Sequence, residues 1–352
     1  EKRYTMKARI DADVTSWFSV GFQTLFSNFV RDLPVSSGFI NPVNLHPTIP
    51  VKDPNGNYLR GSLNELVDGG RSHENVRNYN NTLTATLTPL TDLTIKSNFT
   101  WKNYNLNNES FEQQYPFFYT SSGRPVVFGW QGRQDAITRI EQTSTYQNFD
   151  LTANYMKILG NHNFSVLLGM QAEEDYLLGV SATRGGMILP VPSFNFAFGN
   201  SIDLSDEVAE WSTLGYFGRL NYNYQGKYLL EFNVRRAAAS RFAEESRWGT
   251  FGGISAGWNI LNEGFLAINE SFMDAWKLRF SYGVTGNANV DRIYPASTVQ
   301  GSIRNYYFNG QRLPQLPTPE LVNTDLTWEK PQKFVAGTDL SMLDGRLNLT
   351  FD

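Results

Sequence analysis

The sequence predicts an all-β protein, an antiparallel transmembrane β-barrel to which this chain contributes about twelve strands. First, apolar and polar residues alternate in runs of about ten residues, the length that a tilted strand needs to cross a bilayer. Second, short and long connections between these runs alternate along the chain. Third, aromatic residues make up 14% of the sequence and charged residues only 18%, whereas soluble proteins carry about 25% charged residues.

The segment 214–234 illustrates the alternation. It reads LGYFGRLNYNYQGKYLLEFNV, two alternating runs joined at Gln225-Gly226. One face carries leucine, tyrosine, phenylalanine and valine, and the other carries mainly arginine, asparagine and glutamate. Because side chains alternate across a strand, this hairpin has one apolar face that ends in tyrosines and one polar face.

Ten further runs give the same pattern as the two in this hairpin, so that twelve strands are predicted in all. In chain order they are 4–14, 16–26, 79–89, 92–103, 146–158, 163–175, 211–224, 228–236, 248–260, 275–284, 332–342 and 346–352. Tyrosine and tryptophan residues lie near several strand ends, where a membrane barrel carries its aromatic girdle. These residues are Tyr4, Trp101, Tyr155, Tyr224, Trp258 and Trp276.

The connections between these strands fall into two sets. The short ones are Thr15-Ser16, Pro89-Leu90-Thr91, 159–162, Gln225-Gly226 and Asp344-Gly345, the last with the composition of a type I′ turn. The long ones are 27–78, 104–145, 176–210 and 285–331, and 237–247 is a brief loop on the same side. Segment 261–274 interrupts the short set and predicts one or two turns of amphipathic helix. The arrangement fits short periplasmic turns and long extracellular loops.

The same alternation also fits a soluble barrel or sandwich, whose apolar face packs a core while its polar face meets water. Strand length, aromatic strand ends and the asymmetry of the connections favour the membrane barrel. A transmembrane helix is not expected, because no apolar stretch reaches about 18 residues. The first residues already have the pattern of a strand instead of a signal peptide, so we expect an internal piece of a longer protein.

Several function classes lack support in the sequence. The chain has no cysteine and a net charge of −4 with dispersed basic residues, so neither thiol chemistry nor nucleic-acid binding is predicted. His46, His73 and His162 are far apart, and Asp53-Pro-Asn-Gly-Asn57 lacks the glycine and the final acid of a calcium loop. The acidic groups at 173–175 and 206–207 are interpreted as solvated rim charge. We predict no enzymatic activity, no cofactor and no metal site.

Between residues 210 and 352 a series of short sequence motifs carries a family resemblance. They are YFGRLNYNYQGKY (216–228), NVRR (233–236), SRF (240–242), RWG (247–249), SAGW (255–258), WKLRFSYGVTGN (276–287), LTWEK (326–330), GTDL (337–340) and GRLNLTF (345–351). The chain resembles the barrel of SusC/RagA-type TonB-dependent outer-membrane transporters, and residues 1–209 fit by their strand pattern. One departure is Ala237, Ala238 and Ala239, where the family usually has Asp-Gly-Ser. Alanines are unexpected in the tight turn predicted there.

The resemblance implies TonB-energised import of a large nutrient across the outer membrane of Bacteroidetes-type bacteria. The barrel would be surrounded by outer-membrane lipid. The substrate would be an oligosaccharide, another glycan or a peptide, and the partner a SusD-like surface lipoprotein. The family barrel has about 22 strands and a plugged lumen. Residues 1–352 are therefore expected to form part of a barrel domain, with the plug domain, the N-terminal extension and the contact to TonB outside the chain. A passive porin or adhesin barrel, and a soluble all-β carbohydrate-binding protein, are the alternatives.

Substrate or partner contacts are predicted in the long connections, which combine aromatic residues with amides and acids. Sugar rings have apolar C–H faces, so an aromatic ring flanked by amides and acids suits them. The predicted contact residues are Tyr115, Tyr119, Trp130, Phe194, Phe196, Asn305, Tyr306 and Tyr307.

Overall fold

The computed structural model describes residues 1–35, 50, 52–56, 66–113, 118–119, 124–126, 135–200, 202–263, 273–290, 304–309, 311–315 and 323–352. Twelve strands of the described residues form one antiparallel sheet. They are β1 (Lys2–Thr15), β2 (Phe18–Pro34), β3 (Gly70–Leu90), β4 (Leu93–Glu112), β7 (Ala136–Leu159), β8 (His162–Gly185), β9 (Ile202–Tyr224), β10 (Tyr228–Ala239), β11 (Trp248–Asn259), β12 (Met273–Val284), β15 (Gln332–Met342) and β16 (Leu347–Phe351). Two short hairpins, β5 (Phe118–Tyr119) with β6 (Pro125–Val126) and β13 (Arg304–Phe308) with β14 (Gln311–Gln315), lie outside this sheet.

The sheet is an up-and-down meander in which each strand pairs with the next strand of the sheet along the chain. All twelve predicted strands are present. The connections alternate as predicted between a short-connection end, with turns such as 160–161 and 225–227, and a long-connection end, with segments such as 35–69 and 285–331. The predicted antiparallel all-β architecture is therefore confirmed.

Several strands are longer than predicted, so parts of the predicted loops 27–78, 104–145 and 176–210 belong to the sheet. β7 and β8 each contain 24 residues, a length of about 80 Å at about 3.3 Å per residue. The part added to β7 at the long-connection end is 136–145 (AITRIEQTST), in which 141–145 is polar on both faces. Apolar alternation therefore ends there, although the backbone ladder to β4 and β8 continues.

The turns at the short-connection end follow local backbone chemistry. Gln225 and Gly226 both have positive φ (51° and 70°), as a type I′ turn requires, and the Lys227 amide donates to the Tyr224 carbonyl at 2.8 Å. The turn at 343–346 is longer than the predicted two-residue type I′ turn. Between β11 and β12 the structure has a 3₁₀ turn at Ile260–Asn262, and the rest of the predicted helical segment lies largely outside the described residues.

The three alanines at 237–239 lie at the end of β10 instead of in a turn. The prediction that they occupy a tight turn is therefore wrong, and the turn follows at 240–247. Ala239 is fully buried, and Ala237 and Ala238 are nearly so. This burial favours small side chains at the three positions.

The two faces of the sheet differ in chemistry. The apolar face exposes large side chains, for example Phe232 (54% exposed) and Ile254 (50%), which are paired across β10 and β11, and Phe280 (47%) on β12. The opposite side, called the polar face below, carries mainly amide, hydroxyl and charged groups. None of the helical segments in the described part of the chain has the length and hydropathy of a membrane-spanning helix.

Candidate functional site: the polar face of the sheet

Aromatic residues lie at two levels of the apolar face. These levels serve below to locate groups on the polar face along the strands. Tyr228 and Trp258 lie opposite each other at the short-connection end. Trp248 lies ten residues away on β11, also on the apolar face, and Trp101 lies near the middle of β4. The band between these levels is the apolar band discussed below.

Beyond this band, the polar face of β7, β8 and β9 carries a ladder of side-chain hydrogen bonds. Tyr146 Oη donates to Glu173 Oε1 at 2.8 Å, and Thr213 Oγ1 donates to Glu173 Oε2 at 3.0 Å. Ser144 Oγ donates to Asp175 Oδ1 at 2.8 Å. Partial burial and the bond to Glu173 raise the pKa of Tyr146, so that the phenol keeps its proton to a higher pH than an ordinary tyrosine does. We call these five residues the polar ladder.

The residues of the acidic group at 173–175 divide between the two faces. Glu173 and Asp175 belong to the polar ladder, where hydroxyl groups satisfy their oxygens, while Glu174 points to the opposite side because side chains alternate. Within the described residues no group of three or more metal-ligating side chains comes together.

Nearer to the short-connection end, large side chains on the polar face lie across glycines of the neighbouring strand. Phe217 is paired with Gly169, and a Cβ at Gly169 would lie 2.2 Å from Phe217 Cζ. Arg235 lies across Gly215, where a Cβ would be 2.8 Å from Arg235 Nη2. The glycines therefore provide the space in which a ring and a guanidinium lie flat against the sheet.

Arg235 connects this flat patch to its neighbours. Its guanidinium carbon lies 5.8 Å from the centre of the Phe217 ring, within cation–π range, and its Nη2 donates to Gln171 Oε1 at 2.9 Å. Arg219, one row nearer to the short-connection end, lies 4.0 Å from Glu231. The patch thus combines a ring face with two guanidinium groups.

These groups border an open pocket of about 460 Å³ on the polar face. Its walls are formed mainly by Phe217, Arg219, Asn233, Arg235, Phe251 and Trp328. Small-ligand sites commonly have volumes of about 300–1,000 Å³ and combine apolar walls with a few polar groups. We call this space the Phe217 pocket. A second open space, of about 920 Å³, lies nearer to the short-connection end and includes Asn221, Glu231 and Ser255 in its lining.

An aromatic cluster, called the clasp below, borders the Phe217 pocket on the side of the long-connection end. It consists of Phe242, Phe251 and Trp328, with ring centres 5.7 Å apart for Phe242 and Trp328 and 5.1 Å apart for Phe251 and Trp328. Phe242 is 2% exposed and Phe251 is 7% exposed. Trp328 Nε1 also donates to the Arg247 carbonyl at 2.8 Å.

The clasp joins two connections at the long-connection end. Thr327 Oγ1 donates to the Ser246 carbonyl at 2.8 Å, so that the segment before β15 is tied to the 240–247 turn. Asn287 and Glu329 exchange backbone hydrogen bonds of 2.9 and 3.0 Å, which close the base of the 285–331 connection. The clasp therefore holds the base of that long connection against β10 and β11.

The structure describes only some of the predicted contact residues, and in separate places. Phe194 and Phe196 lie together in a 3₁₀ turn, where the Arg139 guanidinium lies 5.5 Å from the Phe194 ring centre. Asn305, Tyr306 and Tyr307 share strand β13, and Tyr307 is 69% exposed. Tyr119 belongs to β5, while Tyr115 and Trp130 lie outside the described residues.

Sequence reasoning missed the Phe217 pocket, although one signal was present. Phe217 and Phe251 occupy polar-face positions, where the alternation calls for polar residues. Each faces a glycine in space, at Gly169 and Gly249 respectively. A large apolar residue that breaks the pattern beside a glycine indicates a packed site in a strand.

Comparisons with known proteins agree with the architecture. The chain is 24% identical over 373 residues to TonB-dependent receptor P3 of Formosa agariphila, covering all of this chain and 36% of the receptor. It is 29% identical over 226 residues to TonB-dependent receptor SusC of Bacteroides thetaiotaomicron, covering 62% of this chain and 21% of that protein. No family model matches the chain.

Solved structures give the same result for the fold. The RagAB peptide importer in its open-open state superposes with a TM-score of 0.79 at 21% identity, covering 99% of this chain and 39% of that one. The RagAB peptide transporter gives a TM-score of 0.77 at 20% identity with the same coverage. The predicted resemblance to SusC/RagA-type TonB-dependent transporters is thereby confirmed. The chain spans between about a fifth and about a third of the length of the receptors it matches.

Proposed function

We propose that this chain forms part of the barrel wall of an outer-membrane importer that is energised through TonB and takes up a large nutrient. Similarity to TonB-dependent receptors over the whole chain supports this function. Residues 1–352 would belong to the barrel domain, because the chain matches only about a third of such a receptor. The plug domain and the segment that contacts TonB would come from the rest of the protein.

The observation that carries the membrane assignment is the exposed apolar face with its two aromatic levels. Trp248 and Trp258 are ten residues apart on β11, about 33 Å along the strand. A strand tilt of about 35–45° reduces this to about 25 Å, the height of the apolar band of an outer-membrane barrel. Lipid would cover the exposed parts of Phe232, Ile254 and Phe280, each about half exposed in the described part of the chain.

The polar face would then line the lumen, and the long-connection end would face the cell exterior. The polar ladder lies beyond the apolar band, on the parts of β7, β8 and β9 that would extend outward from the membrane. A wall lined with hydroxyl, amide and charged groups suits passage of a hydrated solute. Such a wall supports transport over catalysis, and we therefore propose that the protein is not an enzyme.

The proposed substrate is an oligosaccharide, another glycan or a peptide, delivered together with a SusD-like surface lipoprotein. The RagAB importer, which has the same fold, is described as a peptide importer. Exposed aromatic residues in the long connections support a contact role, most directly Tyr307 and Phe308 on β13. Tyr115, Tyr119, Trp130, Phe194, Phe196, Asn305 and Tyr306 are proposed as further contact residues.

Two competing functions make different predictions. A passive porin or adhesin would have the same wall but would not need TonB. A soluble carbohydrate-binding protein would cover its apolar face with protein, whereas the described sheet leaves this face exposed.

The test uses the protein in its native cells, with and without a functional TonB. We expect the protein in the outer-membrane fraction, with heat-modifiable migration in detergent, and uptake of a labelled oligosaccharide or peptide that stops when TonB is removed. Uptake that persists without TonB would indicate a passive channel. Recovery of the protein in the soluble fraction would contradict both membrane functions.

A further inference from the structure

We propose that Arg77, on the outer side of the sheet just beyond the apolar band, binds the phosphate group of a lipid in the outer leaflet of the membrane. This inference rests on the proposed function in one respect, because it requires that lipid surrounds the apolar face. It goes beyond that function by adding a lipid-binding site on the outside of the wall.

The first step is the side of the sheet on which Arg77 lies. Arg77 and Tyr79 are two residues apart on β3, so both side chains lie on the side of the apolar face. Tyr79 is 41% exposed, and its ring centre lies 4.9 Å from that of Phe26 on β2. The Arg77 guanidinium is therefore next to surface that lipid would cover, and away from the proposed lumen.

The second step is the height of Arg77. Tyr79 lies 11 residues from Leu90, where β3 ends, close to the ten residues between Trp248 and Trp258. Tyr79 thus belongs to the aromatic level nearer to the long-connection end. Arg77 is 13 residues from Leu90, about 43 Å along the strand and about 33 Å in height at a tilt of about 40°. Since the apolar band is about 25 Å tall, Arg77 lies at the level of the lipid headgroups.

The third step is charge. The carboxylates that β2 and β4 carry on this side of the sheet are Asp32 and Glu109, each four residues further out than the residue paired with Arg77. Both have cationic partners already, since His73 Nδ1 lies 2.6 Å from Asp32 and Arg139 Nη2 lies 2.7 Å from Glu109. Arg77 is exposed and forms no ion pair with the residues that the structure describes. Its charge is therefore available to an anion.

The fourth step is the set of hydrogen-bond donors around Arg77. The residues paired with it are Asn28 and Asn105, which bring a side-chain amide to each side of the guanidinium. Asn105 Oδ1 accepts from Thr143 Oγ1 at 3.5 Å, so that the amide NH₂ of Asn105 is available to a ligand. Lys2, exposed on the same side of β1, adds a second cation. An arginine fork binds two phosphate oxygens, and the amides and the lysine supply further donors.

The fifth step limits the site to β1–β4. On β7, β8 and β9 the same side of the sheet carries exposed carboxylates beyond the apolar band, namely Glu141, Glu174, Asp206 and Glu210. Glu174 and Glu210 lie 12 and 14 residues from the ends of their strands at the short-connection end, which is the height of Arg77. Because carboxylates repel phosphate, an anionic lipid is expected against β1–β4 and not against β7–β9.

The experiment measures equilibrium binding of a monophosphorylated lipid A to the full protein in non-ionic detergent micelles. The same lipid after removal of its phosphate is the matched probe. We expect the phosphorylated lipid to bind at least about tenfold more tightly, and Arg77→Gln to remove most of this difference. Arg77→Lys should retain part of it, because lysine keeps the charge and loses the planar fork.

Arg139→Gln is the matched control. It removes the same charge from the same side of the sheet, but Arg139 is paired with Glu109 and lies 20 residues from Leu159, well beyond the headgroups. It should leave both affinities unchanged. Heat-modifiable migration checks that the barrel of each variant is intact. If Arg77→Gln fails this check, the partial loss expected of Arg77→Lys decides the question.

Equal binding of the two lipids to the wild-type protein would overturn the proposal, and so would equal losses from the Arg77 and Arg139 variants. Complete displacement of the lipid by an equal concentration of inorganic phosphate would show a site for free anions and reject the lipid assignment. Each of these results leaves the import function standing, because the assay contains neither TonB nor nutrient. Uptake that persists without TonB would instead reject the import function and leave the lipid site standing.

Discussion

The polar face is built in two different ways at the long-connection end. On β7, β8 and β9 the polar ladder joins side chains through hydrogen bonds and leaves them partly exposed. On β10 and β11 the clasp buries aromatic rings and ties down a connection that returns from far along the chain. Both regions occupy the same face of one sheet, so backbone pairing does not distinguish them. The comparison indicates that the clasp supplies local stability, while the ladder maintains a wetted wall.

The largest effect is expected from removing the central ring of the clasp. Trp328→Ala should lower the free energy of unfolding by about 3 kcal/mol, because it leaves a cavity between Phe242 and Phe251 and removes the indole hydrogen bond to the Arg247 carbonyl. Hydrogen exchange should become faster at the amides of Thr285 and Asn287. Urea unfolding in micelles, with mass-spectrometric exchange, measures both effects.

Trp211→Ala is the matched change in the ladder region. The Trp211 ring contacts Arg241 at 5.2 Å and the Tyr146 ring at 6.5 Å, and it is only partly buried. The expected loss is about 1 kcal/mol or less. Equal losses for the two tryptophans would contradict the proposed division between a packed region and a wetted region.

A second comparison adds a methyl group instead of removing a ring. Gly249→Ala would place a Cβ 2.3 Å from Phe251 Cζ and 2.9 Å from Trp328 Cδ1, so we expect a loss of about 1–3 kcal/mol from overpacking. Gly179→Ala, on the polar face of β8, would meet its nearest atom at 3.6 Å and should be nearly neutral. Urea unfolding of both variants tests this difference, and a neutral Gly249→Ala would show that the clasp packs loosely.

Hydrogen bonding within the ladder should give a smaller effect. Tyr146→Phe removes the 2.8 Å bond to Glu173 and should cost about 1 kcal/mol. A double-mutant cycle with Glu173→Gln should give a coupling energy of similar size, because the two side chains are in direct contact. Additive losses would mean that the Tyr146–Glu173 bond contributes no net stability.

The strand pattern was predictable from the sequence because apolar and polar residues alternate wherever one face meets an apolar medium. The prediction of strand ends failed where both faces are polar, as around Thr143 and Thr145, since hydrogen-bond pairing with a neighbouring strand leaves no signal in a single sequence. Tertiary contacts were equally hidden. Trp328 and Arg247 are 81 residues apart, and neither residue alone indicates that they meet. The flat Phe217 pocket depends on register between strands, which brings Phe217 beside Gly169 and Arg235.

The smallest effect concerns pH at the opposite end of the clasped strands, in the connection after β11. The Glu263 carboxylate is 9% exposed, and hydrogen bonds from Tyr228, Trp258 and Lys227 hold its pKa below the ordinary value of 4.5 although burial opposes this shift. A lowered folded-state pKa contributes stability that is complete above the unfolded-state pKa and is lost as pH falls through the folded-state pKa.

The difference in unfolding free energy between the wild-type protein and Glu263→Gln should therefore be constant above about pH 5 and shrink as the pH falls below 4.5. Asp32 provides the exposed comparison, since its bond to His73 also lowers its pKa while its side chain is 68% exposed. Asp32→Asn should give a weaker pH dependence that added salt abolishes, because water and ions screen an exposed pair. A pH dependence of Glu263→Gln that salt abolishes equally would show that burial does not protect its hydrogen bonds. The short-connection end of these strands would then lack the packed character of the clasp.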